Sequence, residues 1–388
     1  MNTVKVGIIG IGNIGSAHAS AVYSGEVDGM TLAALCDTDQ AKLSILKEKY
    51  PSVPLFSNAE DMMKSGLVDA VIISVPHYGH PPLAIMAFSY GLHVITEKPG
   101  GVNCSEVKKM IVAAKTSGKV FGVMFNQRNN SLFAYAKELI ASGKLGDIKR
   151  SVWIITNWYR KQCYYDSGSW RATWSGEGGG VLLNQAPHNL DLWQWICGMP
   201  SSVYAECNVG KYHKIEVEDE ATIFAEYPNG ATGVFITSTG DYPGTNRLEI
   251  SGTKGKIVIE NGKLTFSSFL YDEKDFRMMA ETDKNPIEVT EICDTAYNGH
   301  VDILKNFTRA ILYGEKLLAP GEDSLNELTI SNAAYLSSWT GKKISLPLDD
   351  ELFDSLLKKK IETSLSTDKK QTSASLSSDY LGKWNTNW

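Results

Sequence analysis

A strand-forming run, Val6-Gly7-Ile8-Ile9, leads without a spacer into Gly10-Ile11-Gly12-Asn13-Ile14-Gly15 and then into an amphipathic segment. In that context the three glycines have separate duties. Gly10 turns the chain sharply, Gly12 lets the backbone, through Asn13 and Ile14, approach a pyrophosphate, and Gly15 lets the helix lie close to the strand. The same alternation of apolar run and amphipathic stretch recurs around residues 32–35, 70–74, 93–95 and 120–123. These runs are continuously apolar, as strands are when helices cover both faces. Residues 1–126 are therefore predicted to form an α/β Rossmann domain, a doubly wound parallel sheet that binds a dinucleotide.

Beyond residue 126 the pattern changes. One helical stretch, 131–142, precedes strands with alternating residues, as in 151–156, and two Asn-Gly pairs, Asn229-Gly230 and Asn261-Gly262, sit between apolar runs as hairpin signals. Residues 127–350 are predicted to form an α+β domain with a large, mostly antiparallel open sheet that binds substrate and supports oligomerisation. Helical patterns return at 300–313 and 324–339, the second expected to pack back on the core. Residues 351–388 read as a C-terminal tail or arm, rich in Ser, Thr and Lys from 363 to 378. Its aromatics Tyr380, Trp384 and Trp388 either fold back or dock on a neighbouring subunit.

A chain of 388 residues suits two such domains, and its formal net charge of -6 argues against a nucleic-acid or anionic-membrane surface. The expected partner is a small molecule. Six scattered cysteines contain no C-x-x-C pair and read as reduced thiols, with no metal site. Met1 to Lys5 runs straight into the first strand without the basic segment, long apolar core and small-residue cleavage site expected of a signal peptide, and no apolar run reaches the roughly 20 residues that span a bilayer. A cytoplasmic enzyme is expected.

Asp37 ends the second apolar run, where a carboxylate accepts hydrogen bonds from the adenosine ribose and repels a 2′-phosphate. The next residue is Thr38 rather than Arg, so the expected cofactor is NAD. A strand-terminating Asp in a turn is the plain alternative. Ser74 and Pro76, after the third run, are expected at the same sheet edge beside the cofactor. His80 is placed with them, with a surface position for His77 and His80 left open.

Glu97-Lys98-Pro99 directly follows the fourth run. Taken with the glycine turn, Asn126-Gln127-Arg128, Trp170-Arg171, and Gly178-Gly179-Gly180 leading to Asn184-Gln185-Ala186-Pro187-His188, the chain resembles the Gfo/Idh/MocA oxidoreductases over residues 4–348. The resemblance implies that Lys98 lies between nicotinamide and the reacting hydroxyl, and that His188 is the base. It also implies that Glu97, Asn126, Trp170, Arg171 and Tyr297 line the cofactor. Asn184 departs from the pattern, which usually has aspartate there; an amide orients a hydroxyl but carries no charge. Asp191 could partly replace that charge, or serve as a first-turn helix acid.

Residues 153–174 hold four tryptophans and three tyrosines with two arginines among them. Aromatic faces beside polar donors suit a hydroxyl-rich ring, and Trp158, Tyr159, Arg160 and Tyr165, in loop-like sequence, are the expected substrate contacts. The expected activity is hydride transfer between NAD and a sugar, glycoside or polyol, with C3 oxidation of a glycoside as a narrower form. Two alternatives stay open: a redox-neutral enzyme that recycles bound NAD while cleaving a glycoside or exchanging sugars, and a sugar- or dinucleotide-sensing protein without catalysis. Family resemblance further implies a dimer or tetramer.

Overall fold

The computed structural model describes residues 3–280 and 284–364. It contains two compact units, the first made of Met1–Asn129 with Tyr297–Leu328 and the second of Asn130–Ala296 with the chain from Thr329 onward.

In the first unit, strands β1 (Val4–Ile9), β2 (Met30–Cys36), β3 (Leu55–Phe56), β4 (Ala70–Ile73), β5 (His93–Thr96) and β6 (Phe121–Val123) form a parallel sheet in the order β3-β2-β1-β4-β5-β6. That order reverses direction between β1 and β4, and the crevice at such a switch point is where α/β sheets bind ligands. Strand interiors are apolar throughout: Val6, Ile8, Val71 and Ile72 are wholly buried. The helices begin and end on local signals. Helix Cys104–Ser117, for example, starts where the Asn103 side chain accepts from the Glu106 N–H and stops at Gly118, whose φ of 64° lies in the left-handed region. Helix Gly299–Tyr313 belongs to this unit although it lies far along the sequence. Its Val301, Leu304 and Phe307 pack in one core with Val6 and Ile8, completing the cover of the sheet. The boundary drawn at residue 126 misses this return, because an amphipathic period shows which face is buried but not against what.

In the second unit, strands β7 (Ile148–Ile155), β8 (Ser202–Val209), β9 (Glu218–Glu226), β10 (Thr232–Ser238), β11 (Asn246–Gly252), β12 (Gly255–Glu260), β13 (Lys263–Phe269), β14 (Ile287–Cys293) and β15 (Ile344–Ser345) form one sheet, ordered β14-β13-β12-β11-β7-β10-β9-β8-β15. All pairs are antiparallel except β7 with β10. Asn261 and Gly262, with φ of 53° and 70°, close the tight β12–β13 hairpin. Asn229-Gly230 instead sits in a longer loop in which only Gly230, φ 82°, is left-handed. On the covered face Trp153 is wholly buried between Phe133 and Phe235, with ring centroids 5.6 and 6.1 Å away. Helix Pro187–Cys197 is bolted to this face by Trp193, whose Nε1–H donates to Ser151 Oγ at 2.9 Å. Gly233 makes room for it, since a Cβ there would stand 2.5 Å from the Trp193 ring.

Two stretches differ from expectation. Residues 162–166 form a short helix rather than loop, and Asp350–Glu362 is a helix whose Phe353 and Leu357 are buried, so the tail begins later than residue 351. Tyr380, Trp384 and Trp388 lie outside the described residues. Among the described residues, no helix is long and apolar enough to cross a membrane.

Candidate active site

The glycine turn has the geometry its spacing implies. Gly10 has φ 87° and a Cβ there would lie 2.7 Å from the Ser74 carbonyl oxygen. A Cβ on Gly15 would stand 2.0 Å from the Gly10 carbonyl oxygen, whereas one on Gly12 would meet nothing within 4 Å. Helix Asn13–Tyr23 starts at Gly12 with no side-chain cap and no acidic residue in its first turn. A cradle open at Gly12, walled by tight backbone and facing an uncapped helix start, fits a pyrophosphate.

The ends of the neighbouring strands supply the rest of this edge. Asp37 follows β2 and is buried, its Oδ2 accepting from the Ile11 N–H at 2.8 Å and its Oδ1 from the Asp39 N–H at 2.9 Å. This carboxylate is aimed at the glycine turn by the backbone itself. Lys42 Nζ lies 3.2 Å from Oδ2, a cation the sequence reading did not take into account. Ser74 donates to the Gly10 carbonyl at 2.8 Å, so its hydroxyl shapes the turn. Pro76 caps the 3-10 turn His77–Gly79.

His80 requires a correction. It is buried, as is His77, so neither is a surface residue. Its Nδ1 faces the Pro99 carbonyl at 2.7 Å and its Nε2 the Val75 carbonyl at 2.8 Å. A neutral ring donates to one of these carbonyls at a time, and held between them His80 sits against both the Glu97-Lys98-Pro99 turn and the loop after β4, a structural position rather than the expected cofactor contact. Burial pushes its pKa down, against the pull of the two carbonyls.

Glu97 and Lys98 follow β5. His18 donates from Nε2 to Glu97 Oε1 at 2.7 Å, and the His18 and His300 ring centroids are 5.7 Å apart. Burial opposes the charge on Glu97, yet the His18 bond and the neighbouring His300 and Lys98 outweigh it and hold the carboxyl down to about 2. Burial lowers His300 to about 4, keeping it neutral, and its Nδ1 accepts from Asn126 Nδ2 at 3.3 Å. The other end of that amide, Asn126 Oδ1, is buried with no hydrogen-bond partner, an acceptor suited to the carboxamide of a nicotinamide. Tyr297 donates its hydroxyl to Gln127 Oε1 at 2.6 Å, beside Asn126 in sequence.

In the second unit, His188 is the second residue of helix Pro187–Cys197 and is buried. Asp191 is also buried and accepts from Gln194 Nε2 at 3.0 Å; it stands beyond the first turn, which corrects its reading as a helix-start acid. Asn184, four residues before His188, is held at both ends of its amide. Its Oδ1 accepts from Gln185 Nε2 at 3.0 Å and from the Tyr164 hydroxyl at 3.2 Å, while its Nδ2 donates to Glu177 Oε1. Glu177 and Tyr164 were not anticipated. Nothing in the sequence pairs Glu177 with Asn184, and the helix at 162–166 decides which of two adjacent tyrosines faces Asn184.

The aromatic segment divides accordingly. Arg171 Cζ lies 4.6 Å from the centroids of both Trp170 and Tyr164, and Arg160 Cζ lies 5.2 Å from Tyr164 and 5.7 Å from Trp158. Tyr159 is exposed. Trp158 is buried and donates from Nε1 to Asn189 Oδ1 at 3.3 Å. Tyr165 is buried too, bonded to Thr239 Oγ1 at 2.7 Å with its ring against His213, so it is a core residue rather than the expected substrate contact. Successive helical side chains point about 100° apart, which sends Tyr165 inward when Tyr164 faces Asn184.

A third carboxylate secures the same stretch. Glu218, fully buried in β9, accepts from the Gly180 N–H at 2.9 Å, the Leu182 N–H at 2.9 Å and the Tyr335 hydroxyl at 2.7 Å. Burial raises its pKa to about 7, despite those donors.

Residues 4–125 match the family described as "Oxidoreductase family, NAD-binding Rossmann fold", and residues 133–258 match "GFO/IDH/MocA C-terminal domain". Myo-inositol 2-dehydrogenase of Thermotoga maritima is 26% identical over 88% of this chain and 98% of its own length. D-glucoside 3-dehydrogenase of Escherichia coli is 24% identical over 88% of this chain and 97% of its own. The WlbA dehydrogenase of Bordetella pertussis, solved with NADH and UDP-GlcNAcA, superposes with a TM-score of 0.76 at 28% identity, over 89% of this chain and 100% of that one.

Proposed function

Because the chain belongs to the Gfo/Idh/MocA oxidoreductases, whose N-terminal domain binds NAD, we propose that it moves hydride between NAD and a ring hydroxyl of a sugar, glycoside or polyol, giving a keto-sugar. The observation that carries this reading is Lys98, at the carboxyl end of β5 in a dinucleotide-binding sheet and braced by the Glu97–His18 bond. The names of the relatives, an inositol dehydrogenase and a glucoside dehydrogenase, support the substrate class.

In the oxidative direction the ring C–H gives its hydrogen with two electrons to NAD, which supplies the hydride acceptor when bound. His188 takes the hydroxyl proton on its imidazole, a group that accepts and returns protons near neutral pH. Lys98 donates a hydrogen bond to the oxygen as alkoxide character develops. Asn184 orients the hydroxyl, and the aromatic and cationic group Trp158, Tyr159, Arg160 and Tyr164 borders the ring; Tyr164 takes the place first expected of Tyr165. Oxidation at C3 of a glycoside is the narrower form, and the keto group would acidify the adjacent C–H.

A panel of sugars, inositols and glycosides assayed by NADH absorbance tests this. At least one substrate is expected to reduce NAD, and Lys98→Ala is expected to lower kcat by at least about a hundredfold. Equal turnover in that variant would remove Lys98 from the mechanism. Sugar binding with no hydride exchange in either direction would replace the enzyme by a sensor.

A further inference from the structure

The hydrogen bonds around Asn184 share one polarity. Arg171 Nη1 donates to the Tyr164 hydroxyl at 2.9 Å, Tyr164 donates to Asn184 Oδ1 at 3.2 Å, and Asn184 Nδ2 donates to Glu177 Oε1. The chain runs from a cation to an anion with each link pointing the same way, an arrangement in which bonds polarise and strengthen one another. Glu177 is only 2% exposed, and its second oxygen accepts from the Ala172 N–H at 2.6 Å. Ala172 has φ 54°, a left-handed conformation that a non-glycine residue holds only under constraint. One carboxylate therefore fixes both the Trp170-Arg171-Ala172 turn and the amide of Asn184. A carboxylate can only accept, so it also decides which end of that amide is which.

We infer that Glu177 and Asn184 act as one unit, in which Glu177 orients the amide and supplies, one hydrogen bond behind it, the negative charge that an asparagine cannot carry. Glu177 is then a positioning residue working through Asn184. This inference rests on the proposed alcohol oxidation for its effect on rate, and on the hydrogen-bond geometry alone for its effect on the folded protein. One negative charge across positions 177 and 184 is the requirement.

The test is a double-substitution cycle of Glu177→Gln and Asn184→Asp, read in two ways. In the NAD-free protein at pH 8, N184D places two carboxylates within hydrogen-bond distance and is expected to lower Tm by several degrees. Adding E177Q is expected to restore most of that loss. Glu177→Asp, which keeps the charge, is expected to leave N184D destabilised. In the assay, E177Q is expected to lower kcat about tenfold or more with sugar KM changed less than threefold, and N184D/E177Q to recover most of the lost kcat. Additive losses of Tm in the double variant, or an E177Q enzyme with undiminished kcat, overturn the inference. If the wild-type chain oxidises no member of the sugar panel while the Tm cycle shows the coupling, the shared charge stands and the alcohol-oxidation reading falls.

Discussion

Gly12 and Gly15 stand three residues apart with opposite surroundings, which separates folding from binding. Gly15→Ala would force a Cβ to 2.0 Å from the Gly10 carbonyl, a backbone atom that cannot swing away. It is expected to lower stability by about 1–3 kcal/mol and to abolish NAD binding. Gly12→Ala meets no protein atom and is expected to leave Tm within about 1 °C while weakening NAD by tenfold or more, as measured by thermal melting and fluorescence titration. Asp37 is expected to carry the choice of dinucleotide. Asp37→Ser removes the carboxylate and leaves Lys42, now 3.2 Å from Asp37 Oδ2, to meet a 2′-phosphate. The ratio of NAD to NADP affinity is expected to fall by at least about tenfold, or 1.4 kcal/mol, by competitive titration. Of the residues at this edge, the strand-then-turn pattern places Asp37 at a strand end, whereas the role expected of Lys98 comes from the family resemblance. His80 was misread, since nothing in a linear sequence shows that the carbonyls of Val75 and Pro99 close on its ring.

At the scale of elements, the stretch Gly178–Leu183 is a turn of small and apolar residues that owes its shape to the buried Glu218 in β9. A pKa raised by burial to about 7, against an ordinary 4.5, has a defined sign. The native state holds a proton that the unfolded chain has released, so this contribution to stability is full below about pH 4.5 and is lost as pH rises through about 7. Its upper bound is roughly 3 kcal/mol. His300, neutral when buried and lowered to about 4, acts in the opposite sense: its contribution is present above its ordinary 6.5 and lost as pH falls through about 4. The check must therefore be a difference. Wild type minus Glu218→Gln, followed by Tm from pH 4.5 to 8, is expected to fall across the window and flatten above it. Strand β9 falls in the stretch expected to be mostly antiparallel sheet, but that its first residue points into the core beside Tyr335 is revealed only by the tertiary structure.

Across the whole molecule, strand register brings Tyr204, Phe224, Val234 and Val152 into one row over β8, β9, β10 and β7. Tyr204 and Phe224 are exposed and the other two half-buried, whereas the opposite face carries the buried Ala205, Ile223, Phe235 and Trp153. An apolar row on an outer sheet face favours self-association, in line with the dimer or tetramer that the family resemblance implies. Light scattering is expected to give one of those masses, and Phe224→Glu with Val234→Glu to give a smaller one. By itself the sequence determined the Rossmann sheet and its dinucleotide, because continuous apolar runs and glycine spacing encode local geometry. Tertiary structure alone decided that helix Gly299–Tyr313 covers the first sheet, that Tyr164 rather than Tyr165 faces Asn184, and that Glu177 stands behind that amide. Those depend on which buried surfaces and hydrogen-bond partners meet once the chain closes, and neither periodicity nor a motif records the partner.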